Sequence, residues 1–167
     1  LEGETPGMLV EENAISDLIS TKIPVDAVGV MIEANPGVAT ISIINNSFTN
    51  TAIGIENKMP GAPSPCSGNW FGSSDPSTVY ASYRGNVDVT PFNIDGTDTD
   101  LNEMGFQPNP ASNIGVGPVS SNDPVDTWFT IQAGVDGSNP GAIVTVAAGT
   151  YAENVTIAKA LDIRGPN

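Results

Sequence analysis

The chain has 167 residues, enough for one or two small domains, with 39% hydrophobic and only 14% charged side chains and a formal net charge of −14. Its five cations, Lys22, Lys58, Arg84, Lys159 and Arg164, are scattered, which excludes a basic patch for nucleic-acid phosphates and disfavours an anionic membrane surface. With no histidine and one cysteine, His-assisted nucleophiles, His-ligated metals and an internal disulfide are excluded too.

Gly, Pro, Ser, Thr and Asn stand where charge is missing, a trade that favours short strands and turns over long surface helices. An all-β chain is expected. No apolar stretch reaches the length of a membrane-spanning helix. The opening residue, Leu1, predicts a processed product or a segment of a longer polypeptide.

In chain order, the first third carries an internal repeat. Asn13-Ala-Ile15-Ser-Asp-Leu-Ile19 leads to Val28-Gly-Val30, and Asn46-Ser-Phe48-Thr-Asn-Thr-Ala52 leads to Ile53-Gly-Ile55. The first copy holds eight extra residues, Ser20 to Ala27, which include Pro24 and predict an outward loop. A weaker echo is Asn69-Trp-Phe-Gly72. Leu9 and Val10 read as strand, as do the alternating pairs Ile41/Ile43 and Ile53/Ile55 with one buried face. Asn tolerates left-handed backbone and can turn the corners, while Gly29 and Gly54 suit bends without room for Cβ. Each repeat is then one winding, stacked on the next at about 4.8 Å to bury its apolar face.

Cys66 lies in the turn Pro63-Ser-Pro-Cys-Ser-Gly68, where a buried thiol and an intermolecular bridge are the two readings. Residues 73–122 are rich in Pro, Ser, Asn and Gly, which predicts a connector with a short strand near 86–90. Within it, Asp95, Asp98, Asp100, Asn102 and Glu103 form an oxygen-rich cluster suited to calcium, although Glu103 stands where an EF-hand loop needs Gly. The competing reading is a solvated acidic turn. Asn45 and Asn154 open acceptor patterns for N-glycosylation.

Beyond residue 123, Trp128, Ile131 and Val135 have helix spacing, with Asp126 or Thr127 as N-cap and Gly137 and Pro140 as terminators, so a helix is expected near 127–135. Ile143–Val146, Val155–Ile157 and Leu161–Ile163 read as strands around the turn Gly149-Thr-Tyr151.

The repeats resemble the right-handed parallel β-helix windings of pectate-lyase-like domains and of bacterial and archaeal surface or adhesin-like proteins. Gly68-Asn-Trp-Phe-Gly-Ser-Ser-Asp-Pro76, followed by Gly85-Asn-Val-Asp-Val-Thr-Pro91, looks like the end of such a domain. Residues 123–167 are similar to its beginning: a cap helix, a strand, Gly-Thr-Tyr, Glu-Asn-Val and apolar-x-apolar-Arg-Gly. The resemblance implies an all-β fold of parallel β-helix pieces, with closing windings over 1–72, a connector over 73–122, and a cap helix with first windings over 123–167.

Family lyases need a basic residue over bound calcium, and family hydrolases need paired aspartates. Here Arg164 sits in a buried-looking cap corner, the lysines are isolated, and Asp17 and Asp26 form no pair. No enzyme is expected, because fold alone confers no activity. The expected role is an extracellular or cell-surface structural module that self-associates head to tail, the partner being a second copy. Leu9, Val10, Ile15, Val155, Ile157, Leu161 and Ile163 would form the contact. The alternatives are a carbohydrate-binding or adhesin repeat that takes cell-surface glycans on Trp70, Phe71, Tyr80 and Tyr83, and, behind it, a polysaccharide lyase or hydrolase remnant.

Overall fold

The computed structural model describes residues 7–18, 27–33, 41–60 and 63–166. It is mostly strand with few helices, in small sheets of two to four strands that do not close. The chain divides into two compact units, Leu1–Gly115 and Val116–Asn167. The stretch 73–122, expected as a connector, contributes strands to both.

In the first unit, β1 (Met8–Glu11), β2 (Ala14–Ser16) and β3 (Val28–Ile32) each lie parallel to a later strand: β4 (Ile41–Ile44), β5 (Ser47–Thr49) and β6 (Ile53–Asn57). Met8 faces Ile41 and Ala14 faces Ser47, whereas Val28 faces Ile53, so the offset shrinks from 33 residues to 25. The difference is the eight-residue excess of the first repeat. The loop that would carry it, residues 20–26, lies outside the described residues. The chain continues through β7 (Ser64–Pro65), α1 (Pro76–Ala81), β8 (Tyr83–Gly85) and β9 (Val87–Asp88), with β8 parallel to β6 and β9 parallel to β7. Finally β10 (Phe92–Asn93) pairs antiparallel with β11 (Asn113–Gly115).

The corners explain why the repeat begins on Asn. Glu12, Asn45 and Gly68 all have positive φ (57°, 57° and 72°), and each directly precedes a repeat Asn. The left-handed residue is therefore the one before Asn13, Asn46 and Asn69. These asparagines themselves build a ladder: Asn13 N–H donates to Asn46 Oδ1 at 3.0 Å and Asn46 N–H to Asn69 Oδ1 at 2.8 Å. A second corner repeats the device with Asp17 and Asn50, both left-handed, whose side chains bond at 2.9 Å. Short polar side chains accept this conformation at low cost and satisfy the backbone that a bend leaves unpaired.

Behind the corners runs an apolar stack. Ile15 faces Phe48, and Phe48 stacks on Phe71 with centroids 5.6 Å apart. Gly29 and Gly54 run beneath these rings. A Cβ at Gly29 would lie 2.7 Å from the Gly54 carbonyl oxygen and 2.9 Å from Phe48, so the absent side chain admits the aromatic layer. Ile43, Ile55, Val79, Val89 and Phe92 are almost wholly buried around it.

The second unit is a four-stranded sheet packed on one helix. The hairpin β12 (Val119–Asn122) and β13 (Val125–Trp128) joins β14 (Ile143–Val146) antiparallel, and β15 (Asp162–Arg164) completes the sheet parallel to β14. Val119, Trp128, Val144 and Val146 form its core. The helix α2 spans Ile131–Gly137 with Thr130 as N-cap, not Asp126 or Thr127. Thr127 and Trp128, at the start of the helix expected near 127–135, pair instead with β12, because the antiparallel ladder satisfies their backbone and still buries Trp128.

Val155–Ile157, expected as a strand, has no regular structure. Its segment runs along α2 instead. Glu153 carboxylate oxygens accept from Ile131 and Gln132 N–H at 2.8 and 2.9 Å, and Gln132 exchanges two hydrogen bonds with the Thr156 backbone. Lys159 Nζ donates to the carbonyls of Asp136 and Ser138. An anion thus meets the positive end of α2 and a cation its negative end. The corner expected to bury Arg164 leaves it exposed and paired with Asp162.

Candidate functional site

Among the described residues, β1, β2 and β3 are bonded on one side only, by β4, β5 and β6. No described strand pairs with their outer edges, and an open edge is a template for a further strand. Met8 and Leu9 are 52% and 56% exposed along this edge, while Val10 and Ile15 are half-buried against the strands behind. The Asn13 carboxamide donates inward to Asn46 Oδ1 and to Glu11 O. In the next two rungs, the Oδ1 atoms of Asn46 and Asn69 accept the N–H of the preceding asparagine. Asn13 Oδ1 offers the same acceptor, and no described residue fills it.

In the second unit β15 is bonded only to β14 among the described residues. Ile163 on it is partly exposed, as are Val155 and Ile157 in the adjoining segment. Leu161 differs. It packs against the Val119–Trp128–Val144–Val146 core and offers less surface than expected.

The acidic cluster is a run of local turns. Asp95 Oδ1 accepts from Thr97 N–H and hydroxyl, Asp98 Oδ1 from Asp100 and Gln107 N–H, and Asp100 Oδ1 from Asn102 N–H and Nδ2. The Thr97 hydroxyl and amide hold the Asp95 carboxyl below the usual carboxylate range. Glu103 donates its N–H to Asp100 O. The Asp95, Asp98 and Asp100 carboxylates are engaged by nearby backbone and side chains, and no group of three or more acidic, His or Cys side chains among the described residues converges on one point.

Cys66 is fully buried, and burial, the largest cause, pushes its thiol up to about 12. That favours the inert reading of this residue. Phe71 is buried and Trp70 packs over Gly96, where a Cβ would lie 2.3 Å from the indole Nε1. Tyr80 and Tyr83 meet edge to face at 5.8 Å, and burial pushes the Tyr83 hydroxyl up. The expected stacking platform is therefore divided among core, corner and an edge-on pair. Of the two acceptor asparagines, Asn154 is exposed, whereas Asn45 is half-buried and donates to Glu11 Oε1 at 3.3 Å.

Among the described residues, three outside the sequence-derived set have buried polar atoms without a hydrogen-bond partner: Asn93, Gln107 and Asn113. The Asn46, Asn69, Asn93 spacing of 23 and 24 residues was a readable signal for the first. Nothing local marks the other two.

No family model, curated protein or solved structure matches this chain.

Proposed function

We propose that this chain is an extracellular structural module whose windings belong to a right-handed parallel β-helix and continue, head to tail, into those of another copy. One observation carries the reading: among the described residues, nothing fills the Oδ1 acceptor of the outermost rung, Asn13, and β1, β2 and β3 beside it are paired on one side. A ladder of this kind gains a hydrogen bond and buries more apolar edge with each added winding. The complementary edge is β15, with Ile163 on it and Val155 and Ile157 nearby. Two different surfaces joined in this way do not close on themselves, so the product is a fibre or surface array. The low content of cations and the net charge of −14 suit a crowded, solvated exterior, with divalent cations such as calcium screening repulsion between copies.

Light scattering with electron microscopy of the purified chain tests this. Concentration-dependent fibres are expected, and Leu9→Lys, which places a charge on the open edge, should abolish them while leaving the urea midpoint nearly unchanged. A native polypeptide whose denatured mass far exceeds 17.2 kDa would supply the continuing windings from within one chain and overturn the head-to-tail reading.

A further inference from the structure

Asn45-Asn46-Ser47 and Asn154-Val155-Thr156 share the acceptor pattern for N-linked glycosylation: Asn, a residue other than Pro, then a hydroxyl residue. Transfer of a glycan needs two free groups. The Asn carboxamide must reach the anomeric carbon of the donor, and the hydroxyl two residues on must be open to hydrogen-bond the transferase. The product is bulky, so the acceptor must also stand at the surface. The two segments differ on each requirement. In the first unit Asn46 and Ser47 are 0% and 7% exposed, and Ser47 opens β5 with its N–H donating to Asn13 O at 2.8 Å. Asn45 is half-buried at a left-handed corner, and its Nδ2 donates to Glu11 Oε1 at 3.3 Å. A glycan there would have to break the rung that Asn46 builds.

In the second unit Asn154, Val155 and Thr156 are all exposed, in a stretch without regular structure. Among the described residues, neither the Asn154 carboxamide nor the Thr156 hydroxyl has a hydrogen-bond partner. The backbone around them is held. Glu153, next to Asn154, accepts from the first amides of α2, and the Thr156 N–H and carbonyl both bond the Gln132 carboxamide. The acceptor is therefore a surface strap with its ends fixed and its reactive side chains free. Only Gln132 would have to release it for a transferase to draw it outward, and no strand pairing would be lost, because no strand includes it.

We infer that Asn154 is an acceptor for N-linked glycosylation and that Asn45 is not. The donor class is an oligosaccharide carried on a lipid pyrophosphate. Asn154 Nδ2 forms a bond to the anomeric carbon, the bond from that carbon to the phosphate oxygen breaks, and the lipid pyrophosphate leaves with the electron pair while one amide proton passes to water. The inference rests on the extracellular location proposed above, since the donor is met on export. Val155 and Ile157 beside the site belong to the proposed head-to-tail contact, so that contact is open to chains whose Asn154 is bare.

The full chain, exported from cultured mammalian cells behind a cleavable signal peptide, tests the inference. That route presents the donor wherever the native chain resides, so the result judges the site and not the location. Intact mass before and after peptide N-glycosidase counts the glycans, and peptide mapping of the Asn-to-Asp conversion left by release gives their position. One glycan, at Asn154, is expected. Asn154→Gln and Thr156→Ala should each abolish it, and Asn45→Gln should leave it in place. Because the Asn154 carboxamide and the Thr156 hydroxyl bond nothing among the described residues, urea midpoints of the bare Asn154→Gln and Thr156→Ala chains should match that of the enzymatically deglycosylated parent. An exported chain without glycan, a glycan on Asn45, or occupancy of Asn154 that survives Thr156→Ala would overturn the inference.

Discussion

The Asn69 carboxamide oxygen receives the Asn46 backbone N–H at 2.8 Å and the Asn46 side-chain amide at 3.0 Å, and both residues are fully buried. Asn46 passes the arrangement on, since its own Oδ1 accepts from Asn13 N–H and Nδ2, and its Nδ2 also reaches the carbonyls of Val10 and Ile44. One side chain therefore serves backbone groups on adjacent passes of the chain. Asn46→Ala keeps the backbone N–H bond to Asn69 but removes every side-chain bond, takes the acceptor from Asn13 N–H and leaves a cavity, a cost of roughly 2–4 kcal/mol. Asn13→Ala, on an exposed rung, should cost less than about 1 kcal/mol. Urea unfolding of both variants measures the contrast, and equal losses would show that the ladder carries no special weight.

Gly29 offers a steric test of the aromatic layer. Its Cβ would meet backbone as well as the Phe48 ring, so Gly29→Ala should destabilise by about 1–3 kcal/mol despite removing nothing. Gly165 has nothing within 4 Å of the same atom, and Gly165→Ala should be close to neutral. Thermal unfolding of the two variants provides the readout.

Glu153 and Lys159 hold the ends of α2 from a segment without regular structure. At seven residues this helix is too short to persist on propensity alone. Glu153→Ala should cost about 1–3 kcal/mol through the lost charge-assisted bonds. It should also speed amide hydrogen exchange at Ile131 and Gln132 before the rest of the sheet. Uniform acceleration across the second unit would instead mean that Glu153 acts on global stability alone.

Burial raises the Cys66 thiol from 9.0 to about 12. At neutral pH the thiol is protonated and shielded, so an aromatic disulfide reagent should label it only as fast as the fold opens, and promptly in urea. The folded-state value lies above the unfolded one. The contribution to stability is therefore complete below pH 9 and is lost as pH rises from 9 toward 12. Cys66→Ala should show a shallower alkaline decline in urea midpoint than the parent chain. Because Tyr83 is also pushed up by burial and is present in both, the difference between them isolates the thiol.

Much of the first unit was legible because repetition makes a local pattern report on its neighbours. Asn13 and Asn46, the Asp17/Asn50 corner, Gly29 over Gly54, and the eight-residue excess between the copies all fall where two aligned segments put them. The second unit was less legible. Trp128 has the spacing of a helix face with Ile131 and Val135, and nothing within reach in sequence says that Val119–Asn122 will claim it as a strand. Val155–Ile157 alternates like a strand, yet Gln132, more than twenty residues earlier, takes its hydrogen bonds.

Composition and repeat spacing alone thus pointed to a strand-rich chain and to the alignment of Asn13 with Asn46, Asp17 with Asn50 and Gly29 with Gly54, because each follows from local chemistry read at a period. The tertiary structure alone decided that the left-handed corner residue is the one before each rung, and that Glu153 and Lys159 bracket α2. The second relationship joins residues 21 to 23 positions apart through side-chain hydrogen bonds. Bonds of that kind have no period, so they leave no trace in the order of the amino acids.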